Sequence, residues 1–98
     1  MSKEDIINEI KQHFNFNENT KFSQYYFGIT DDINRRLFTE HNVDKEHDYW
    51  IYRTANSKAC AQEIEEYFLG LGMDGDTGGG NDNTTKVYCY KKNAHTKP

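Results

Sequence analysis

Apolar and polar positions follow two different periods along this chain, and the switches between them divide it into six elements. Ile6, Ile7, Ile10 and Phe14 recur at helical spacing. Ser2 stands ahead of them with Asp5 three residues on, a weak capping-box arrangement that starts the helix. The Asn-rich run 15–20 ends it, because Asn side chains compete for nearby backbone hydrogen bonds and favour turns. Over about 23–30 the period shortens to two, with Tyr25, Phe27 and Ile29 on one face of a strand and Tyr26 and Gly28 on the other. Asp31 or Asp32 caps a second helix that turns Ile33, Leu37 and His41 inward.

A charged connection, 44–48, leads to a strand over 49–54 in which Trp50 and Tyr52 share a face. Asn56 or Ser57 caps a third helix whose inner stripe is Ala61, Ile64, Phe68 and Leu71, flanked by Cys60 and Tyr67. Gly70 or Gly72 supplies its left-handed stop. Residues 72–83 are Gly, Asp and Asn with Met73 as the one apolar anchor, a flexible connection. The last strand, 86–91, sets Val87 and Cys89 against Tyr88 and Tyr90, and the tail 93–98 reads as frayed. The order α-β-α-β-α-β predicts a single α+β domain over 1–98: a small, three-stranded, mainly antiparallel sheet covered by three helices.

Composition sharpens this picture. In 98 residues only 35% are apolar, but 14% are aromatic, so a few large rings must fill the core. The net charge of −4 argues against a surface that wraps nucleic acid and favours a protein or a small ligand as partner. Cys60 and Cys89 have no metal-ligand spacing. With no signal peptide in view they are expected to be reduced thiols of a cytoplasmic protein. No apolar run approaches the ~20 residues of a bilayer span, so no membrane role is expected.

Candidate chemistry concentrates at 26–37, Tyr-Phe-Gly-Ile-Thr-Asp-Asp-Ile-Asn-Arg-Arg-Leu. Tyr26, Gly28, Thr30, Asp32 and Arg36 stand at the spacing of the second half of the GIY-YIG nuclease signature, which the segment resembles. Ser57, Lys58, Ala61 and Glu65 are similar to that family's metal-binding helix, extending the resemblance over 26 to about 70. It implies a GIY-YIG-like fold in which Tyr26 orients water or a phosphate oxygen. Arg36 would stabilise phosphoryl charge, and Glu65 would hold a divalent ion, Mg²⁺ if the site is catalytic.

The chain also departs from the pattern. About ten residues before Tyr26 it has Phe14-Asn15-Phe16 and no Tyr. Glu40 occupies the family's His position, with His41 one residue late and rotated by about 100° on an α-helix. Position 29 is Ile where many members place Lys. A permuted connectivity would supply the missing strand: if 86–91 pairs beside the Tyr26 strand, Tyr88 takes the vacant place, and both hydroxyls converge on Arg36 and Glu65.

Plainer readings stand beside these. Arg35 and Arg36 pair with Asp32 and Glu40, Glu63, Glu65 and Glu66 form a charged outer face, and His41 is a hydrogen-bonded core residue. The strand aromatics either pack or form an exposed stacking platform. The Gly loop lacks the ending of a phosphate loop and the twelfth-position Glu of a calcium loop. The sequence therefore reads first as a degenerate GIY-YIG-like domain acting as a non-catalytic binding module. Its tyrosine-rich face and Gly loop (Tyr25, Trp50, Tyr52, Tyr90, Gly78, Gly79 and Gly80) would make the contact, with no firm cofactor. The alternative is a divergent Mg²⁺-dependent phosphodiesterase using Tyr26, Arg36, Tyr88, His41 and Glu65.

Overall fold

The computed structural model describes residues 1–75 and 81–98. Helix α1 (Lys3–Phe14) begins where the Ser2 hydroxyl accepts the Asp5 N–H at 3.1 Å. It ends on Asn15 in the left-handed conformation, φ 57°, with the Asn15 and Phe16 N–H groups donating back to Gln12 and Lys11. A single 3₁₀ turn, Phe22–Gln24, leads into strand β1 (Tyr25–Thr30). Strand β2 (Trp50–Thr54), helix α2 (Lys58–Gly70) and strand β3 (Lys86–Lys91) complete the regular elements, with one further helix between β1 and β2.

The three strands form one antiparallel sheet in the order β1-β3-β2. The last strand is thus the central one, and it pairs beside the Tyr26 strand. The reason is visible in its residues. Val87, Tyr88, Cys89 and Tyr90 are all fully buried, so both faces of β3 are covered, as only a central strand's can be. The outer edge of β1 is closed by Asp74, which exchanges two 2.9 Å backbone bonds with Tyr25 and Phe27.

One sheet face packs under α1 and α2 through Ile6, Ile10, Phe27, Ile51, Ala61, Ile64, Phe68, Val87 and Cys89. The stripe of α2 differs from expectation at two places. Glu65 is buried rather than on an outer charged face, and Leu71 is exposed. The helix stops at Gly70 and the chain turns through Gly72 at φ +112°, so Leu71 never comes round to the core. Both thiols are free, Cys89 buried against the Met73 sulfur and Cys60 half-buried.

The opposite face carries Tyr26, Tyr88 and Tyr90 beneath a helix spanning Asn34–Glu40. Asp32 caps it, accepting the Arg35 N–H at 3.1 Å, while the Thr30 hydroxyl accepts the Asp32 N–H. This helix is a π-helix: its bonds close over five residues, as where the His41 N–H donates to the Arg36 carbonyl at 3.0 Å. Ile33 and Leu37 face inward, as the pattern requires.

Two expectations fail here. Tyr25, Tyr26, Tyr88 and Tyr90 are buried, so the aromatics do not form one exposed platform; Trp50 and Tyr52 on β2 are the members left accessible. Nor is the tail frayed. Asn93 caps a turn closed by Thr96, the Asn93 amide and the His95 ring bind Asp48, and the Lys97 N–H donates to the His41 carbonyl at 2.8 Å. Among the described residues no helix is long and apolar enough to cross a membrane.

Candidate functional site

Strand register sets the site. Across the polar-ringed face, Tyr26, Tyr90 and Trp50 form one row, and Gly28, Tyr88 and Tyr52 the next. A side chain at position 28 would fall inside the Tyr88 phenol, so the missing Cβ of Gly28 is what lets that ring lie across β1. The Tyr26 ring stacks on Tyr90 at 5.3 Å and on Tyr88 at 6.3 Å, and sits 4.5 Å from the His41 ring.

His41 reaches these tyrosines because its helix is wide. On an α-helix it would point about 100° away from a residue four after Arg36. Closing the ring over five residues returns it to the Arg36 face instead. Its Nε2 lies 2.7 Å from the Tyr88 hydroxyl, its Nδ1 lies 2.7 Å from the Lys97 carbonyl, and the Tyr90 hydroxyl is 3.1 Å from Nδ1. A carbonyl only accepts, so these partners assign the proton to Nδ1. Nε2 then offers a lone pair, and the Tyr88 O–H donates to it.

Electrostatics agree with a neutral pair. Burial pushes the His41 pKa below the ordinary imidazole value; the Lys97 carbonyl opposes this and Arg36 adds to it. Burial likewise raises the Tyr88 pKa well above a free phenol's, with Arg36 pulling it down and Tyr26 and Glu65 pushing it up. Arg36 is penalised by burial, but Glu40 at 2.7 Å and the adjoining Tyr88 and Tyr26 hydroxyls more than offset that, so its charge is held firmly. Glu40 is also bound by Arg35 at 3.2 Å. A hollow of about 450 Å³ opens beside Tyr26, Arg36, Glu40, His41 and Asp74. Tyr88 and Glu65 stand beneath the surface and do not line it.

Tyr26, Arg36, His41 and Tyr88 are therefore brought together, with Tyr90 on the imidazole and the Glu65 carboxylate near enough to act on Tyr88. Tyr25 is elsewhere, on the other face among Phe14 and Phe16. Trp50 and Tyr52 lie on the far side of the π-helix, with Phe38 edge-on to Trp50 at 4.9 Å. Gly78, Gly79 and Gly80 lie outside the described residues. Sequence reasoning missed the Lys97 carbonyl, for which a polar tail gives no signal, and the Tyr90 hydroxyl as a partner of His41. Among the described residues no group of three or more His, Cys, Asp or Glu could hold a metal ion. Comparison with family models, with curated proteins and with solved structures finds no significant match to this chain.

Proposed function

We propose that this chain is a metal-dependent phosphodiester hydrolase on a permuted GIY-YIG-like arrangement, with the C-terminal strand in the place of the missing first strand. The observation that carries the reading is the Tyr88 hydroxyl, bonded to His41 Nε2 at 2.7 Å and adjoined by Arg36. A hydrolase needs a base and a cation at one point, and His41 and Arg36 supply that pairing beside one hollow.

The proton path runs through this chain's own residues. Tyr88 is buried beneath the hollow, so the relay requires the cover over its hydroxyl to open. Water attacking phosphorus would then give its proton to the Tyr88 oxygen as that hydroxyl passes its own proton to His41 Nε2. The imidazolium so formed is steadied by the Lys97 carbonyl on Nδ1. A His with a depressed pKa rests neutral and is ready to accept. Arg36 lines the hollow, and its fork would stabilise charge developing on the phosphoryl oxygens. Glu65, buried beneath the hollow, is the carboxylate that would hold a divalent ion of the Mg²⁺ type, which needs only one or two carboxylates from the protein. When bound, such an ion neutralises phosphoryl charge.

The test is hydrolysis of bis(p-nitrophenyl) phosphate and of oligonucleotides with Mg²⁺ or Mn²⁺. Cleavage by the intact chain that disappears in Arg36→Ala and Glu65→Gln, both checked for native circular dichroism, is expected. Absence of cleavage of every phosphodiester by the folded, metal-supplied chain overturns the proposal and returns the binding-module reading.

A further inference from the structure

On the other side of the π-helix from His41, a cleft of about 540 Å³ is lined by Phe38, Lys45, Trp50, Tyr52 and Lys86. We infer that this cleft is a subsite for single-stranded nucleic acid, in which unpaired bases stack on Trp50 and Tyr52 while Lys45 and Lys86 meet the flanking phosphates. The inference builds on the hydrolase reading, and names the substrate as a strand with unpaired bases.

Three features of the cleft carry it. The Trp50 and Tyr52 rings are parallel within 8° and 6.5 Å apart, close to twice the ~3.4 Å rise per base along a strand. They therefore present flat faces at a spacing that suits stacked bases, and Tyr52 is 40% exposed. The Trp50 orientation is fixed: its indole N–H donates to the Lys45 carbonyl at 2.9 Å, and Phe38 packs edge-on against its ring.

The second feature is charge. The cleft also holds Asp31, Asp32 and Arg35, one cation against two carboxylates. Arg35 binds Asp31 at 2.9 Å, and Asp32 accepts the Arg35 backbone N–H. Lys45 and Lys86 form no ion pair among the described residues. Arg35, Lys45 and Lys86 against Asp31 and Asp32 leave the lining one positive charge in excess, although the whole chain carries −4.

The third is placement. Lys45 lies at the Trp50 end, while Lys86 pairs with Thr54, one strand step beyond Tyr52. A backbone running along β2 would thus meet a cation at each end of the aromatic pair. A duplex has its bases stacked inward and offers these rings nothing, so the cleft selects unpaired strands.

Trp50 is the only tryptophan in the chain, so its fluorescence reports this cleft alone. The intact protein in EDTA is titrated with an oligothymidylate of about ten nucleotides, within the ~4–16 nucleotides that such sites engage. Saturable quenching is expected, weakened about tenfold or more by Tyr52→Ala, with a log–log salt slope of about −1.4 for two phosphate contacts. Lys86→Ala should reduce that slope by about 0.7. An abasic oligomer of equal charge and a duplex of equal length should bind far more weakly. Equal quenching by either would leave charge alone, and no quenching, or quenching only by peptides, would overturn the subsite. Binding without metal-dependent cleavage sinks the hydrolase reading and leaves the subsite standing; cleavage without quenching does the reverse.

Discussion

The two faces of the sheet are built on opposite principles. Under α1 and α2 the packing is carbon on carbon, with Phe27 stacked on Phe68 at 4.8 Å and Ile6, Ile10, Ala61 and Ile64 without exposure. Under the π-helix the largest buried side chains are Tyr88, Tyr90 and His41, each with a polar atom that must find a partner. The apolar face gains stability from area alone and tolerates any shape that fills it. The polar face must satisfy its hydroxyls as well as fill space, and the Tyr88 and Tyr90 hydroxyls both do so on the His41 ring. The first face holds the sheet together, and the second is where the proposed chemistry would sit.

Substitutions should separate the faces, and the widest gap is expected between Phe68→Ala and Arg36→Ala. Removing the Phe68 ring leaves a cavity in the dry core and should destabilise by about 3–5 kcal/mol, a large part of the ~5–15 kcal/mol typical of a domain. Urea unfolding would show it as a shifted midpoint. Arg36→Ala, at a half-exposed position, should move that midpoint little while lowering hydrolysis by about 10²–10³-fold. Equal midpoint shifts in both variants would abolish the division of labour.

Gly28→Ala comes next, because it strikes the junction of the two roles. The new methyl occupies the Tyr88 phenol's space, so the ring must swing away from His41. Overpacking of this kind destabilises by about 1–3 kcal/mol, and the lost Tyr88–His41 bond should lower turnover at least as far as Tyr88→Phe does. The Tyr88→Phe variant removes only the hydroxyl and should retain the midpoint within about 1–3 kcal/mol, since His41 Nε2 is then left without its donor.

A subtler contrast is the pH response. The folded His41 pKa lies below its ordinary 6.5, so over that interval the unfolded chain binds more protons than the native one. Stability therefore falls as pH drops from about 6.5 toward the folded value, and on the hydrolase proposal turnover should fall with it as His41 is protonated. Asp31, Glu40, Asp44 and Asp48 have depressed carboxyl values, and what they contribute is lost only below the ordinary carboxylate range. Urea midpoints at pH 7.5, 6 and 5.5 should decline in the parent and stay flat in His41→Gln. A parent midpoint that does not move would mean His41 is not buried neutral.

How much of this was readable from the chain depends on what periodicity encodes. Period-two runs at Tyr25–Thr30, Trp50–Thr54 and Lys86–Lys91, and the Ile6, Ile7, Ile10 stripe, located the elements, because burial on one face leaves that mark. The run Val87 to Tyr90 also carried a signal for the central strand, since it has no polar position to turn outward. The pairing of β1 with β3 rested on a permuted connectivity that no local pattern proves. The π-helix was not legible: the inward residues Ile33 and Leu37 suit either helix, and only the reach of His41 distinguishes them. Burial of Glu65 was hidden for a related reason, since a carboxylate beside Ile64 looks like the edge of a charged face until the helix is docked. The tail escaped notice because its role is carried by a backbone carbonyl, which every residue has.

That carbonyl gives the smallest predicted effect and the finest test of the polar face. Deleting residues 97 and 98 removes the acceptor at 2.7 Å from His41 Nδ1 and the backbone bond from Lys97 to His41. The Tyr90 hydroxyl, 3.1 Å away, remains, so the imidazole keeps one partner but loses the group that forces its proton onto Nδ1. A hydroxyl can donate as readily as accept, and the ring becomes free to carry its proton on Nε2. In that tautomer Tyr88 faces a donor instead of a base. Turnover should fall about tenfold, the share of molecules left in the productive tautomer, while the urea midpoint moves by about 1 kcal/mol or less. The ¹⁵N shifts of the His41 ring should change from a single Nδ1–H pattern to the average of two. If the truncated chain keeps the Nδ1–H pattern, Tyr90 rather than the tail positions the base, and Tyr90→Phe should then produce the loss instead.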